Sequence, residues 1–222
     1  MSYRDELTKT EKKEWNEACA LFEEMLDDFH SKNLLRKGTI QIDRQRLALV
    51  WENSRNYALA FNAMIKNFES EEKAEDFAQK CASAGLTKHT LTYLLVSQLI
   101  GTFLINLESV FKTSLLFFLE EECGISRKMT LGQLLITIKN ISPRVGARLE
   151  RMIDTDLRNC LAHGTFWFKK GGHVFLSTNS YLEEVRRISL PELIIEGKRM
   201  SIIATAFVYT LDQKTKQGYF RL

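Results

Sequence analysis

From Tyr93 to Leu107 the chain is almost wholly apolar, interrupted by Ser97, Gln98 and Asn106. Glu108 and Lys112 follow, and a second apolar run covers Leu115 to Leu119. A helix that is hydrophobic nearly all the way round must be covered on several sides, by protein or by lipid. A membrane span wants ~20 predominantly apolar residues with few charges, and the interruptions argue against that. The run therefore reads as the central helix of a bundle and predicts no membrane association. Other helices must surround it.

The rest of the sequence supplies them. Trp15, Ala18, Cys19, Phe22, Met25, Leu26 and Phe29 recur at spacings of three and four, one helix face between about Thr8 and Ser31. A break falls at Lys37-Gly38-Thr39, where Ile40 and Ile42 read as a short extended connection, before helix resumes near Asp43. The charged, alanine-rich run from Ser70 to Ala84 ends at Gly85, a stop signal. The central helix starts at Thr87 or Thr90 and is expected to run to about Glu122. Thr130 can cap a helix that yields at Ser142-Pro143. With only two prolines and 45% hydrophobic residues in 222, the chain predicts a mainly α fold.

One helix carries chemistry. From about Arg144 to Gly164, Val145, Leu149, Ile153, Leu157, Cys160 and Leu161 form the buried side, and Arg158, Asn159 and His163 fall on the opposite flank. Gly164 is placed to end the helix directly after His163. Beyond it the period changes from 3.6 to 2: Phe166 and Phe168 alternate with polar or outward positions, residues 169–172 turn, and His173 to Leu176 return as a β-hairpin. Ser189-Leu190-Pro191-Glu192 opens a closing helix that reaches about Asp212.

An arginine offers a permanent forked charge suited to phosphate oxygens, and a histidine titrates near neutrality. RNA brings its own nucleophile, the 2′-hydroxyl. Cleavage then needs a base, an acid and positive charge on the phosphate oxygens. His163 can act as base or acid, Arg158 can hold the phosphate, and Asn159, one turn below His163, can orient the imidazole or touch the substrate. One chain offers one histidine here and a symmetric dimer offers two, which favours a composite site. Lys169 and Lys170 follow the motif and can grip the RNA backbone, or simply solvate the hairpin turn. Glu108 is either an acid turned toward this cleft or the exposed flank of its helix.

This pattern of Arg158, Asn159, three further residues and His163 at a helix end resembles the HEPN superfamily, the higher eukaryote and prokaryote nucleotide-binding domains. The long apolar helix, the Met129 to Leu135 helix start, the hairpin and the closing helix are similar to it as well, over residues 88 to 213. The resemblance implies an antiparallel, up-and-down helical bundle over residues 88–222, with residues 1–87 as an N-terminal helical extension. It further implies a homodimer with two motifs facing one cleft, and in many members a metal-independent endoribonuclease, as in toxins and antiviral effectors. Other members are non-catalytic nucleotide- or RNA-binding scaffolds, often with a nucleotidyltransferase-like partner that acts as antitoxin. A third reading, an assembly domain, rests on the aromatic residues of the N-terminal helices.

Residues 127–222 hold 16 Lys and Arg against 8 Asp and Glu, a balance of +8, whereas the first 126 residues balance at −5. A basic half is the footprint expected for a polyanion, if its charges share one face. Cys19, Cys81, Cys123 and Cys160 form no C-x-x-C pair and no zinc-finger spacing with a histidine, so neither metal nor cofactor is expected. They read as small buried apolar residues. The charged start from Met1 to Lys13 lacks an export signal, which predicts a cytoplasmic protein with reduced thiols.

Overall fold

The computed structural model describes residues 4, 7–35, 41–68, 70–119, 128–169, 173–177 and 186–218. Over these residues the fold is mainly helical, with a small three-stranded antiparallel sheet. The first helices are α1 (Lys9–Ser31), α2 (Gln41–Ile65, followed by a 3₁₀ turn) and α3 (Glu71–Ser83). The central rod comprises α4 (Lys88–Leu104), a π-helix over Ile105–Lys112 and α5 (Thr113–Phe118). Then follow α6 (Leu131–Ile141), α7 (Pro143–Met152), α8 (Thr155–His163), strands β1 (Phe166–Lys169), β2 (His173–Leu176) and β3 (Arg186–Ser189), and the closing helix α9 (Leu190–Lys216).

Helix starts are set by side chains that satisfy otherwise orphaned backbone N–H groups. Thr8, Thr130 and Ser189 each accept from the third residue of the following helix, and Glu11, Gln133 and Glu192 reach back to the cap, completing capping boxes. Ser70 and Thr87 cap α3 and α4 in the simpler manner. Gly85, just past α3, sits at φ +81°, which a residue with a Cβ adopts only at a cost.

The predicted face of α1 is buried as a unit, with Ala18, Phe22, Met25, Leu26 and Phe29 sealed, and Leu21, which the pattern did not include, is sealed beside them. It packs on α9, and Phe22 meets Phe207 of α9 edge-on at 5.0 Å and Phe111 of the π-helix at 5.8 Å. Thus α1, assigned by sequence to a 1–87 extension, shares one continuous core with α4, α6, α8 and α9. Polar contacts fasten its far end. Arg144 bonds Glu24 at 2.9 Å, Ser142 donates to Asp28, and Lys214 of α9 reaches Asp27 at 2.5 Å.

Three boundaries differ from expectation. The central rod ends at Phe118 rather than Glu122, because Leu119 turns to extended backbone and bridges Leu35. Ile42 lies inside α2, not in an extended connection, while Lys37, Gly38, Thr39 and Ile40 fall outside the described residues. The single helix expected from Arg144 to Gly164 is two. Ile153 turns to φ −106°, ψ 107°, and Asp154 restarts the chain by accepting the Leu157 N–H at 2.9 Å. The predicted hairpin forms, Phe166 opposite Leu176 through Lys169 opposite His173, so Lys169 belongs to β1 and not to the turn expected over 169–172; a third strand the sequence did not announce adds to β2.

The central rod is the one described helix long and apolar enough to cross a membrane, from Tyr93 to Phe117. Leu95, Val96, Leu99, Phe103, Leu107 and Phe111 instead lie in the core, as a bundle's central helix requires.

Candidate functional site

The π-helix decides what α8 meets. A π-turn closes hydrogen bonds from i to i+5, wider than the α-helical i to i+4. The Thr113 N–H reaches the Glu108 carbonyl across five residues, and the Thr113 hydroxyl donates to the same oxygen at 2.9 Å. Asn106 and Glu108, two residues apart, lie on opposite sides of the rod: Asn106 bonds Ser54 of α2 and Ser201 of α9, and Glu108 faces α8.

There Glu108 meets Arg158. One guanidinium nitrogen, Nη2, pairs with Glu108 Oε1, and the other carboxylate oxygen pairs with Lys112 Nζ at 2.5 Å. Arg158 Nη1 donates to Asn159 Oδ1 at 2.7 Å, which fixes the asparagine carbonyl beside the cation. The side chains of Arg158 and Glu108 are 17% and 21% exposed, so this pair is screened far less than a surface bridge. Arg158 Nε is buried and lacks a partner among the described residues. An unsatisfied buried donor costs about 1–3 kcal/mol and in native proteins calls for an explanation, a functional one among them.

His163 is the last residue of α8, exposed, and without a hydrogen-bond partner among the described residues. Gly164, at φ +67°, closes the helix by donating its N–H to the Cys160 carbonyl. The imidazole therefore stands at a helix C-terminus, open to solvent. Asn159 is also exposed. The expected trio is thus graded in depth: Arg158 part-buried on Glu108, with Asn159 and His163 open to solvent. Lys169 ends β1 opposite His173, and Lys170 lies outside the described residues.

Asp154, the i−4 neighbour of Arg158, is committed elsewhere. It caps α8 and pairs with Arg186 of β3, whose pKa that hydrogen bond raises. On the buried side of α8 the Cys160 thiol donates to the Ser177 carbonyl at 3.2 Å, and burial pushes it up from the ordinary thiol range. The Cys19 thiol is pushed up to about 11 by the same cause, so neither is poised as a nucleophile at neutral pH. Cys81 is half-buried, and Cys123 falls outside the described residues. Among the described residues no group of three or more His, Cys, Asp or Glu side chains is arranged to hold a metal ion.

Lys112 is the residue that sequence reading missed. An i,i+4 acid and base on a helix is an ordinary solvated pair, and the contact of Glu108 with Arg158 is what joins this one to α8. In comparison with known proteins, no family model matches the chain, and neither a curated protein nor a solved structure is significantly similar to it.

Proposed function

We propose that this chain is a metal-independent endoribonuclease of the HEPN type, working as a homodimer, with His163 transferring protons and Arg158 holding the scissile phosphate. The observation that carries the reading is a guanidinium that keeps 17% of its side chain exposed, on the same nine-residue helix as a solvent-open imidazole. A phosphate oxygen is a strong acceptor for such a donor. Asn159, held beside Arg158, contacts the substrate or orients His163. Glu108 and Lys112 set the position of Arg158 from behind. Lys169 and Lys170 are the proposed backbone contacts on the hairpin, and a toxin or antiviral effector with a nucleotidyltransferase-like antitoxin is the setting that the resemblance implies.

The test is cleavage of single-stranded RNA in EDTA. The reading expects products ending in a 2′,3′-cyclic phosphate, and a loss of about 10²–10⁴-fold on His163→Ala, the usual worth of one general acid or base. Chelator-sensitive cleavage, or full activity in the variant, would refute it.

One observation favours a second reading. Glu108 already neutralises Arg158, as a structural ion pair would. A non-catalytic module that binds nucleotide or RNA through the same residues follows from that pairing. RNA binding that survives without product decides for it, and sedimentation of the RNA-free chain tests the homodimer.

A further inference from the structure

We infer that the hollow between α2, the π-helix and α9 is a binding site for a small organic anion, an apolar ring-bearing body with one acidic group. The hollow has a volume of about 460 Å³, inside the range of about 300–1,000 Å³ usual for small-molecule sites. Trp51, Leu59, Val110 and Val208 give it apolar walls.

Its floor is polar and built from three elements. Ser54 Oγ donates to Asn106 Oδ1 at 3.0 Å, and Asn106 Nδ2 donates to Ser201 Oγ at 2.8 Å. These side chains are 8%, 2% and 6% exposed, so the network is not a solvated surface. A primary amide has two acceptor lone pairs and two N–H donors. Asn106 therefore keeps one of each beyond these bonds, enough for a hydroxyl or amide on the ligand. The rim adds charge: among the described lining residues Arg55 is the one that carries it, and it is exposed.

The space exists because α2 seats incompletely. Among its described side chains only Ser54 and Phe61 are buried, and Leu59 stands 54% exposed at the mouth. Apolar walls, a polar floor with unused capacity and a single cation at the rim select an amphiphile of one negative charge. A cationic or wholly apolar ligand would leave Arg55 or the floor unmatched. The site lies across the rod from Arg158, and its test involves no RNA.

Two dyes that share one fused-ring body probe it: anilinonaphthalene sulfonate, which is anionic, and the neutral phenylnaphthylamine. The full chain is titrated with each by fluorescence. The site predicts one saturable molecule per chain, loss of both dyes in Val208→Trp, and in Arg55→Gln a roughly tenfold weaker anion with the neutral dye unchanged, the worth of one charge-assisted contact. Near-ultraviolet circular dichroism shows whether Val208→Trp keeps its packing. Arg55, being exposed, can be changed without disturbing the core, so that arm decides even if Val208→Trp misfolds. Multiple weak binding, full binding to a folded Val208→Trp, or an Arg55→Gln that affects both dyes alike or neither would overturn the inference.

Discussion

Arg158 and His163 were legible because their chemistry is written in residue type: forked charge and neutral-range titration need no fold to be recognised. Their depth was not legible. A wheel drawn from the sequence puts Arg158 opposite the core stripe, yet it is part-buried because Glu108 comes down on it from another helix. Glu196 of α9 makes the same lesson testable. Burial raises its pKa above the usual carboxylate value of 4.5, against the opposing pull of Arg199, and its Oε2 lacks a partner among the described residues. Between the ordinary and the raised value the folded state binds more protons than the unfolded state, so stability falls as pH rises through that window. Glu196→Gln should therefore melt higher than the parent at neutral pH, with the gain vanishing as pH drops below the ordinary value. Thermal melts across that range check it, and a variant less stable at neutral pH would contradict it.

Elements were read well where caps and stripes agreed, as at Thr8, Thr130 and Ser189. The break between α7 and α8 was hidden because Leu149, Ile153 and Leu157, all sealed, keep i,i+4 spacing straight across it. Strand β3 was hidden because Arg186, Arg187, Ile188 and Ser189 hold one apolar residue. The π-helix was invisible since the apolar run that leads into it, Tyr93 to Leu107, has no phase against which a wider turn would show. Asp154→Ala removes the cap of α8 and the partner of Arg186, and should cost about 1 kcal/mol for the cap alone, up to ~2. Denaturant melts measure it, and a neutral result would mean that the break is not maintained by Asp154. The α6–α7 contact rests on Gly146, where a Cβ would lie 2.7 Å from the Lys139 nitrogen and 2.5 Å from its Cβ. Since backbone is the obstacle, Gly146→Ala should cost about 3 kcal/mol, the upper end for overpacking. A loss under ~1 kcal/mol would show that the two helices part easily.

At the scale of the molecule, opposite charge balances in two halves of a sequence are not a division in space. Glu24, Asp27 and Glu108 of the acidic half pair with Arg144, Lys214 and Arg158 of the basic half. An acidic extension beside a basic domain folds into a mutually neutralising whole, which ordering along the chain could not reveal. The same interleaving governs truncation. Residues 88–222 alone would lack α1 and bare Phe111 and Phe207, so this fragment should aggregate or stay molten instead of giving a clean dimer by gel filtration. Phe22→Ala, in the full chain, should cost about 3–5 kcal/mol by chemical denaturation. The wide turn over Ile105–Lys112 acts across the same distances, like a thread cut once at a coarser pitch. Winding the same residues as a uniform α-helix, at about 100° per residue, would turn everything beyond the wide turn round the axis of the rod. Leu115 and Leu116, now sealed, would swing away from the core. The irregularity is thus kept in place by the whole bundle, since smoothing it would unseat the leucines that anchor the far end of the rod.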